Sequence, residues 1–348
     1  MGEINQINAT NSAAGHFGPV IDTHVHALPA GLLNQITHRE IDGFSAERAD
    51  GGGWRVSAPG WAQPRLVRPP MADPERRADW AAGQGLTGQV VSPWLDAQPT
   101  AAMPAAAARD WARRLNGTLA HADAALATVA LTPHAARDLE DAVTGGGLAG
   151  LVLSTHPAGV TGLADPALEP LWETAAGLGV PVVLHPPSDG PARALPGGAD
   201  FGNTFGRLVD STFAVTSLLL AGVLDRHPAL RLVVVHGGGF LPYQAMRLDG
   251  GHRADGLAHH AILRDRPSDY LPDLYFDTVA LNAASIRFLA DAAGPGQVLL
   301  GSDYPFPLGD PQPVATVRGA GLGDAATAAV LGGNATALFP ALAGRVHA

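Results

Sequence analysis

The sequence predicts an α/β fold, a (β/α)8 TIM barrel with a small β-containing insertion between its first and second barrel strands. Three observations carry that expectation. Eight short runs rich in Val and Leu, bounded by Gly or Pro, alternate with helical patterns, as parallel strands buried on both faces do. Polar residues gather where those runs end, at His24, His26, Ser92, Ser154, His156, His185, His236, Asp277 and Asp303, and in a closed barrel such ends meet on the catalytic face. No G-x-G-x-x-G follows the first run, so an open nucleotide-binding sheet fits less well.

Along the chain, a polar segment over residues 1–18 reads as a flexible tail without the charged-then-apolar plan of a signal peptide. The barrel is expected over 19–340, with a short C-terminal tail over 341–348. Its strands are PVIDTHVH (19–26), GQVVSPW (88–94), ALATVAL (125–131), AGLVLST (149–155), VPVVLHP (180–186), RLVVVHG (231–237), LYFDTVA (274–280) and QVLLGSD (297–303). PAAAARDWARRLNGTLAHADA, LEPLWETAAGLG and AASIRFLADAAG supply helices between them. About sixty residues separate the first strand from the second, far more than an ordinary βα loop, and that length marks a lid or subdomain. The Gly- and Pro-punctuated GGGWRVSAPGWAQPRLVRP places short strands inside this insertion, which spans about residues 30–80.

Composition narrows the chemistry. A net charge of −10 without a basic run gives nucleic acid or an anionic membrane nothing to hold. No apolar stretch reaches the roughly 20 residues of a membrane span, and a cytoplasmic protein acting on small molecules is the expectation. With no cysteine, disulfides, thiolate metal sites and cysteine nucleophiles are excluded. With no lysine, all 22 basic residues being arginine, so are Schiff bases and a lysine-derived bridge between two metals.

Alternate residues of a strand share a face, so His24 and His26 both point into the barrel. A lone strand-end histidine is more often a bonded core residue than a ligand. His24 and His26 on the first strand, His185 on the fifth and Asp303 on the eighth, in one frame, favour a single metal over that alternative. Three nitrogens and one oxygen suit Zn2+ first, with Mn2+ or another divalent ion next, and a water completing the shell would be acidified. Asp303 also suits a turn before Pro305. Asp22 reads as a structural group. His236, one strand beyond His185, is expected to be a general base, with a fifth ligand or a core histidine as the alternatives. The glycines after it read as close backbone packing rather than a phosphate cradle.

DTHVH, VVLHP, VVVHGGGFLPY and LLGSDYPFPLG together resemble the amidohydrolase superfamily, and within it the branch of aminocarboxymuconate semialdehyde decarboxylase, from Ile21 to about Phe339. The resemblance implies one zinc per subunit on His24, His26, His185 and Asp303, with His236 activating its water. It implies substrate carboxylates held by Arg65, before ADPE, and by Arg247, eleven residues after His236, the latter reaching a neighbouring subunit of a homodimer. Read from the residues alone, both arginines equally suit a surface role, and Arg55 and Arg68 are rivals. His156 in STHP and Phe306 in GSDYPFPLG are further pocket candidates. The chain departs from the branch at Pro187, where a tryptophan follows HP, and Trp94 is the candidate to refill that space.

The resulting expectation is nonoxidative decarboxylation of an unsaturated or aromatic carboxylic acid. A metal-dependent hydrolase or hydratase using the same activated water is the alternative, and a noncatalytic metal-binding scaffold is a third.

Overall fold

Each of the eight apolar runs forms a strand of one parallel sheet. They are β1 (Ile21–Ala27) and, after the insertion strands β2 (Ser45–Arg48), β3 (Trp54–Ser57) and β4 (Arg65–Val67), β5 (Gly88–Pro93), β6 (Ala124–Ala127), β7 (Gly150–Ser154), β8 (Pro181–His185), β9 (Arg231–Val234), β10 (Leu274–Asp277) and β11 (Val298–Leu299). The sheet order is β1-β5-β6-β7-β8-β9-β10-β11. Its two edges meet: Thr23 N donates to Leu300 O at 2.8 Å, His26 N to Tyr304 O at 2.8 Å and Asp303 N to His24 O at 2.9 Å. The ring is a (β/α)8 barrel. These coordinates are a computed structural model that describes residues 18–38, 41–254 and 261–342. The tails expected over 1–18 and 341–348 lie outside the described residues, apart from Gly18, Ala341 and Leu342.

Period-two alternation sorts the wall into two environments. Val90, Leu126, Val152, Val183, Val233 and Leu299 form one buried cluster with Phe339 and Leu342, and two residues further on stand the polar Ser92, Thr128, Ser154 and His185. The barrel is thus filled by an apolar layer below and a polar layer above. The alternate residues Val91, Leu151, Leu153, Val182, Leu184, Leu232 and Val234 join the helices in the largest cluster. The expected helices occupy Ala105–Leu119, Glu169–Leu178 and Ala283–Ala293. The last is capped by the Asn282 side chain, which accepts from Ser285 N at 2.8 Å.

Several strands are shorter than their apolar runs. β9 stops at Val234 and β11 at Leu299, because the chain leaves the ladder to turn polar residues toward the barrel axis. His236 and Asp303 lie beyond these ends, both in the left-handed region, with φ of 55° and 63°, where non-glycine residues are uncommon. Gly237, Gly238 and Gly239 follow His236 with φ of 62°, 77° and 64°. A Cβ on Gly238 would stand 2.6 Å from the Phe276 ring, and one on Gly239 2.5 Å from Leu208 O. Close packing, as the sequence suggested, explains these glycines.

The insertion is a three-stranded antiparallel sheet, β2-β3-β4. Trp54 and Val56 turn inward while Arg55 turns out, and Trp54, Val56 and Val67 bury against Leu32, Met71, Trp94 and Trp111 in a separate core. Phe44, partly buried against that core, stacks on Trp111 with ring centroids 4.1 Å apart. The sheet is therefore tied to the barrel beside β5, and β4 begins with Arg65 at the cavity wall.

Candidate active site

His24, His26, His185 and Asp303, all buried, bring one ligand atom each to within 4.8 Å of one another. Every imidazole is fixed through Nδ1. His24 Nδ1 faces Asp277 Oδ2 at 2.6 Å, His26 Nδ1 faces Ser92 Oγ at 3.2 Å, and His185 Nδ1 faces the Pro186 carbonyl at 2.8 Å. A carboxylate and a carbonyl only accept, and Ser92 Oγ spends its own proton on Val25 O at 3.1 Å. All three Nδ1 atoms therefore donate, and the three Nε2 lone pairs face the centre. His24 Nε2 and His26 Nε2 stand 3.0 Å apart, and His185 Nε2 is buried without a partner. Lone pairs that face each other at this distance repel unless a cation lies between them. The donor set accordingly fits a divalent metal.

The electrostatics agree. Burial, then the neighbouring His26, His236 and His24, hold His185 well below the ordinary imidazole range. Burial pushes His26 down to about 4. Both are neutral at pH 7, as ligands must be. Burial also lowers His24, but Asp303, Asp277 and Asp22 outweigh it and raise this imidazole. Burial alone would raise the Asp303 carboxyl, yet the His24 charge and the close His236 and His26 imidazoles hold it well below the carboxylate range. Positive charge is what this centre favours. Asp22, lifted to about 7 chiefly by burial, takes the Ser302 hydroxyl at 2.5 Å and the His24 and Ser302 amides at 3.1 and 3.0 Å. It braces the β1 and β11 ends, consistent with a structural reading.

Asp277 does more than its place in the sequence suggested. Besides His24, it accepts from Gly237 N at 2.8 Å and Val279 N at 3.1 Å through Oδ1. One carboxylate thereby sets the tautomer of a candidate ligand and the turn that carries His236. The strand-end position alone gave no sign of this double role.

A cavity of about 1190 Å³ opens above the centre, lined by His185, His236 and Asp303 at its base and by Trp94, Phe205, Leu208, Phe240 and Phe306 on its walls. His236 Nε2 lies 3.8 Å from Asp303 Oδ2, and its buried Nδ1 has no partner. Trp94 is met edge-on by Trp61 at 5.8 Å, and the Phe306 ring stands 5.1 Å from that of His26. Arg65 lines the cavity above the Trp61 ring at 4.7 Å, bonded to Asp96 Oδ2 at 2.6 Å and to Asp189.

Other expected residues stand apart. Arg247 is exposed on the helix Leu241–Arg253 and does not line the cavity of its own chain. His156 does not line it either: half-buried past the end of β7, it bonds Thr155 Oγ1 at 3.3 Å, and burial lowers it against the pull of Asp210. Of the rival arginines, Arg68 lines the cavity and Arg55 does not. Pro187 is likewise absent from the wall, whereas Ser188 and Asp189 after it line it. Arg207, unremarked in the sequence, also lines the cavity.

An amidohydrolase family model matches residues 21–341. The chain belongs to the amidohydrolase family. Within that family, it is 30% identical over 169 residues to 2-amino-3-carboxymuconate-6-semialdehyde decarboxylase of Dictyostelium discoideum, covering 47% of this chain and 45% of that protein. It is 32% identical over 206 residues to 6-methylsalicylic acid decarboxylase of Aspergillus aculeatus, covering 53% and 58%. The chain spans about half the length of the curated relatives it matches. In fold it resembles 5-carboxyvanillate decarboxylase from Sphingomonas paucimobilis, with a TM-score of 0.75 at 23% identity over 92% of this chain and 99% of that one. A dihydroxybenzoic acid decarboxylase from Polaromonas sp. JS666, solved with manganese and 2-nitroresorcinol, gives 0.75 at 21% identity over 93% and 97%.

Proposed function

We propose that this amidohydrolase is a metal-dependent carbon-carbon lyase that decarboxylates an unsaturated or aromatic carboxylic acid without an oxidant. The observation that carries the reading is the set of three inward Nε2 lone pairs and the Asp303 carboxylate at the base of a largely apolar cavity, with His236 beside them. The decarboxylases among its relatives support this choice over hydrolysis. A divalent cation held by His24, His26, His185 and Asp303 would supply an electrophile for developing negative charge, zinc being the first expectation from the ligand set and manganese the alternative.

In this reading the bond from the substrate to its carboxylate breaks, CO2 leaves, and the carbon left behind takes up one proton. His236 handles protons at Nε2, on the cavity side of Asp303. Trp94 and Phe306 flank a flat acid and exclude water. Arg65 takes a substrate carboxylate in exchange for that of Asp189, which is 59% exposed. Arg247 serves a second subunit: it follows exposed Met246 on the helix Leu241–Arg253, which packs beside the helix Arg207–Leu220 carrying exposed Phe213, and such exposed apolar side chains suit a homodimer. We place the enzyme in the cytoplasm, without a nucleic-acid or membrane partner; among the described residues no helix is long and apolar enough to cross a membrane.

The test is a panel of aromatic and unsaturated acids incubated with the metal-loaded protein in 18O-labelled water. The expected result is CO2 release with one solvent hydrogen in the product. Labelled oxygen in the product without CO2 would instead make this a hydrolase or hydratase.

A further inference from the structure

Four arginines line the cavity: Arg65, Arg68, Arg193 and Arg207. Arg68 and Arg193 are exposed at its mouth, where water screens their charge. Arg65 and Arg207 are half-buried, and their surroundings differ. Arg65 meets two carboxylates, Asp96 and Asp189, so its charge is matched until a substrate carboxylate displaces Asp189. Arg207 donates only to neutral acceptors: Nε to Asn203 Oδ1 at 2.7 Å, Nη1 to Pro186 O at 2.9 Å and Nη2 to Ser188 Oγ at 2.7 Å. Asp210, one turn further along the same helix, feels Arg207, but its Oδ1 accepts from Ala192 N at 2.8 Å. Asp96 reaches Arg207 only through the Ser188 hydroxyl, which donates to Asp96 Oδ2 at 2.6 Å, so Arg207 is the half-buried cation of this cavity that no direct ion pair among the described residues neutralises.

Its position is equally specific. The Pro186 carbonyl that takes Arg207 Nη1 also takes His185 Nδ1, at 2.8 Å, so the guanidinium stands beside the centre, one shared acceptor from a ligand. An arginine here would be a poor partner for the carboxylate that leaves. That group loses its charge as it becomes CO2, and a guanidinium paired with it stabilises the substrate more than the transition state. From the uncancelled charge of Arg207 and its place beside His185, we infer that Arg207 binds a second carboxylate of the substrate, one retained in the product, and that the natural substrate is a dicarboxylic acid. This rests on the decarboxylase reading only for the fate of the other carboxylate.

The experiment measures binding and needs no turnover. Phthalate, isophthalate and terephthalate, whose two carboxylates differ in separation, are compared with benzoate by calorimetry on the metal-loaded protein. The wild type is expected to prefer at least one of the three over benzoate by about tenfold or more. Arg207→Gln erases the preference for two carboxylates over one while leaving metal content unchanged, and Arg207→Lys restores part of it. Should Arg207→Gln fold poorly, Asn203→Asp places a carboxylate on Arg207 Nε at an exposed position, and the same loss is expected from cancelled charge alone. A clamp that merely shaped the loop would weaken benzoate and dicarboxylates alike. The inference is overturned if the wild type shows no preference, binds none of the four acids, or keeps its preference in both variants. Failure to release CO2 from any acid, with the preference intact, would count against the decarboxylase reading alone.

Discussion

The direction of three imidazole lone pairs is decided by groups that never touch a metal: Asp277, Ser92 and the Pro186 carbonyl. Of these, Asp277 carries the greatest leverage, because it holds both His24 and the amide of Gly237. Asp277→Asn offers an amide where a carboxylate accepted, and metal affinity is expected to fall about 10- to 100-fold, measured by chelator competition. His236→Ala is expected to keep the metal, since His236 is not among the converging ligands, while kcat falls by about 10² to 10⁴; full activity in this variant would remove His236 as the proton-handling group. At the cavity rim, Asp189→Asn frees one side of Arg65, and affinity for carboxylate ligands in calorimetry is expected to rise several-fold, about the worth of a partly exposed ion pair.

Among the elements, the β9 end and the insertion sheet differ in how they bear on the site. The Gly237–Gly239 turn lets the chain pass under Phe276 and Leu208 while presenting His236. Gly238→Ala would place a Cβ 2.6 Å from Phe276 at a φ of 77°. About 2 to 4 kcal/mol of destabilisation is expected, read as a lowered denaturation midpoint, because backbone strain and overpacking act together. The insertion contributes by placement: its core of Trp54, Val56 and Val67 holds β4, and Trp61 lies under the Arg65 guanidinium.

For the whole molecule, the closed ring brings residues 24, 26, 185 and 303 together, and a bound cation would link the β1, β8 and β11 ends. Chelation is expected to lower Tm, with recovery on adding zinc or manganese. At a metal concentration one hundred times Kd the linkage is about 2.7 kcal/mol, and a Tm unmoved by chelator would argue against this centre. The homodimer is tested by light scattering: Phe213→Asp, at a side chain 69% exposed, is expected to give a monomer that still binds metal.

The sequence by itself pointed to the barrel, because eight apolar runs alternating with helices suit a closed parallel wall better than an open sheet. It also marked the four candidate ligands, since strand-end position and period two place His24, His26, His185 and Asp303 on the inner face, where the structure brings them together. Only the tertiary structure decided the electrical state of each side chain. Asp277 becomes a tautomer lock because β10 ends beside β1's ligand, and Arg65 arrives paired because the insertion and the β8 loop carry Asp96 and Asp189 toward it. Arg207 bears no motif and acquires its role from neutral neighbours. Identity and periodicity are local properties of a chain, whereas charge compensation depends on which distant groups the closed fold sets side by side.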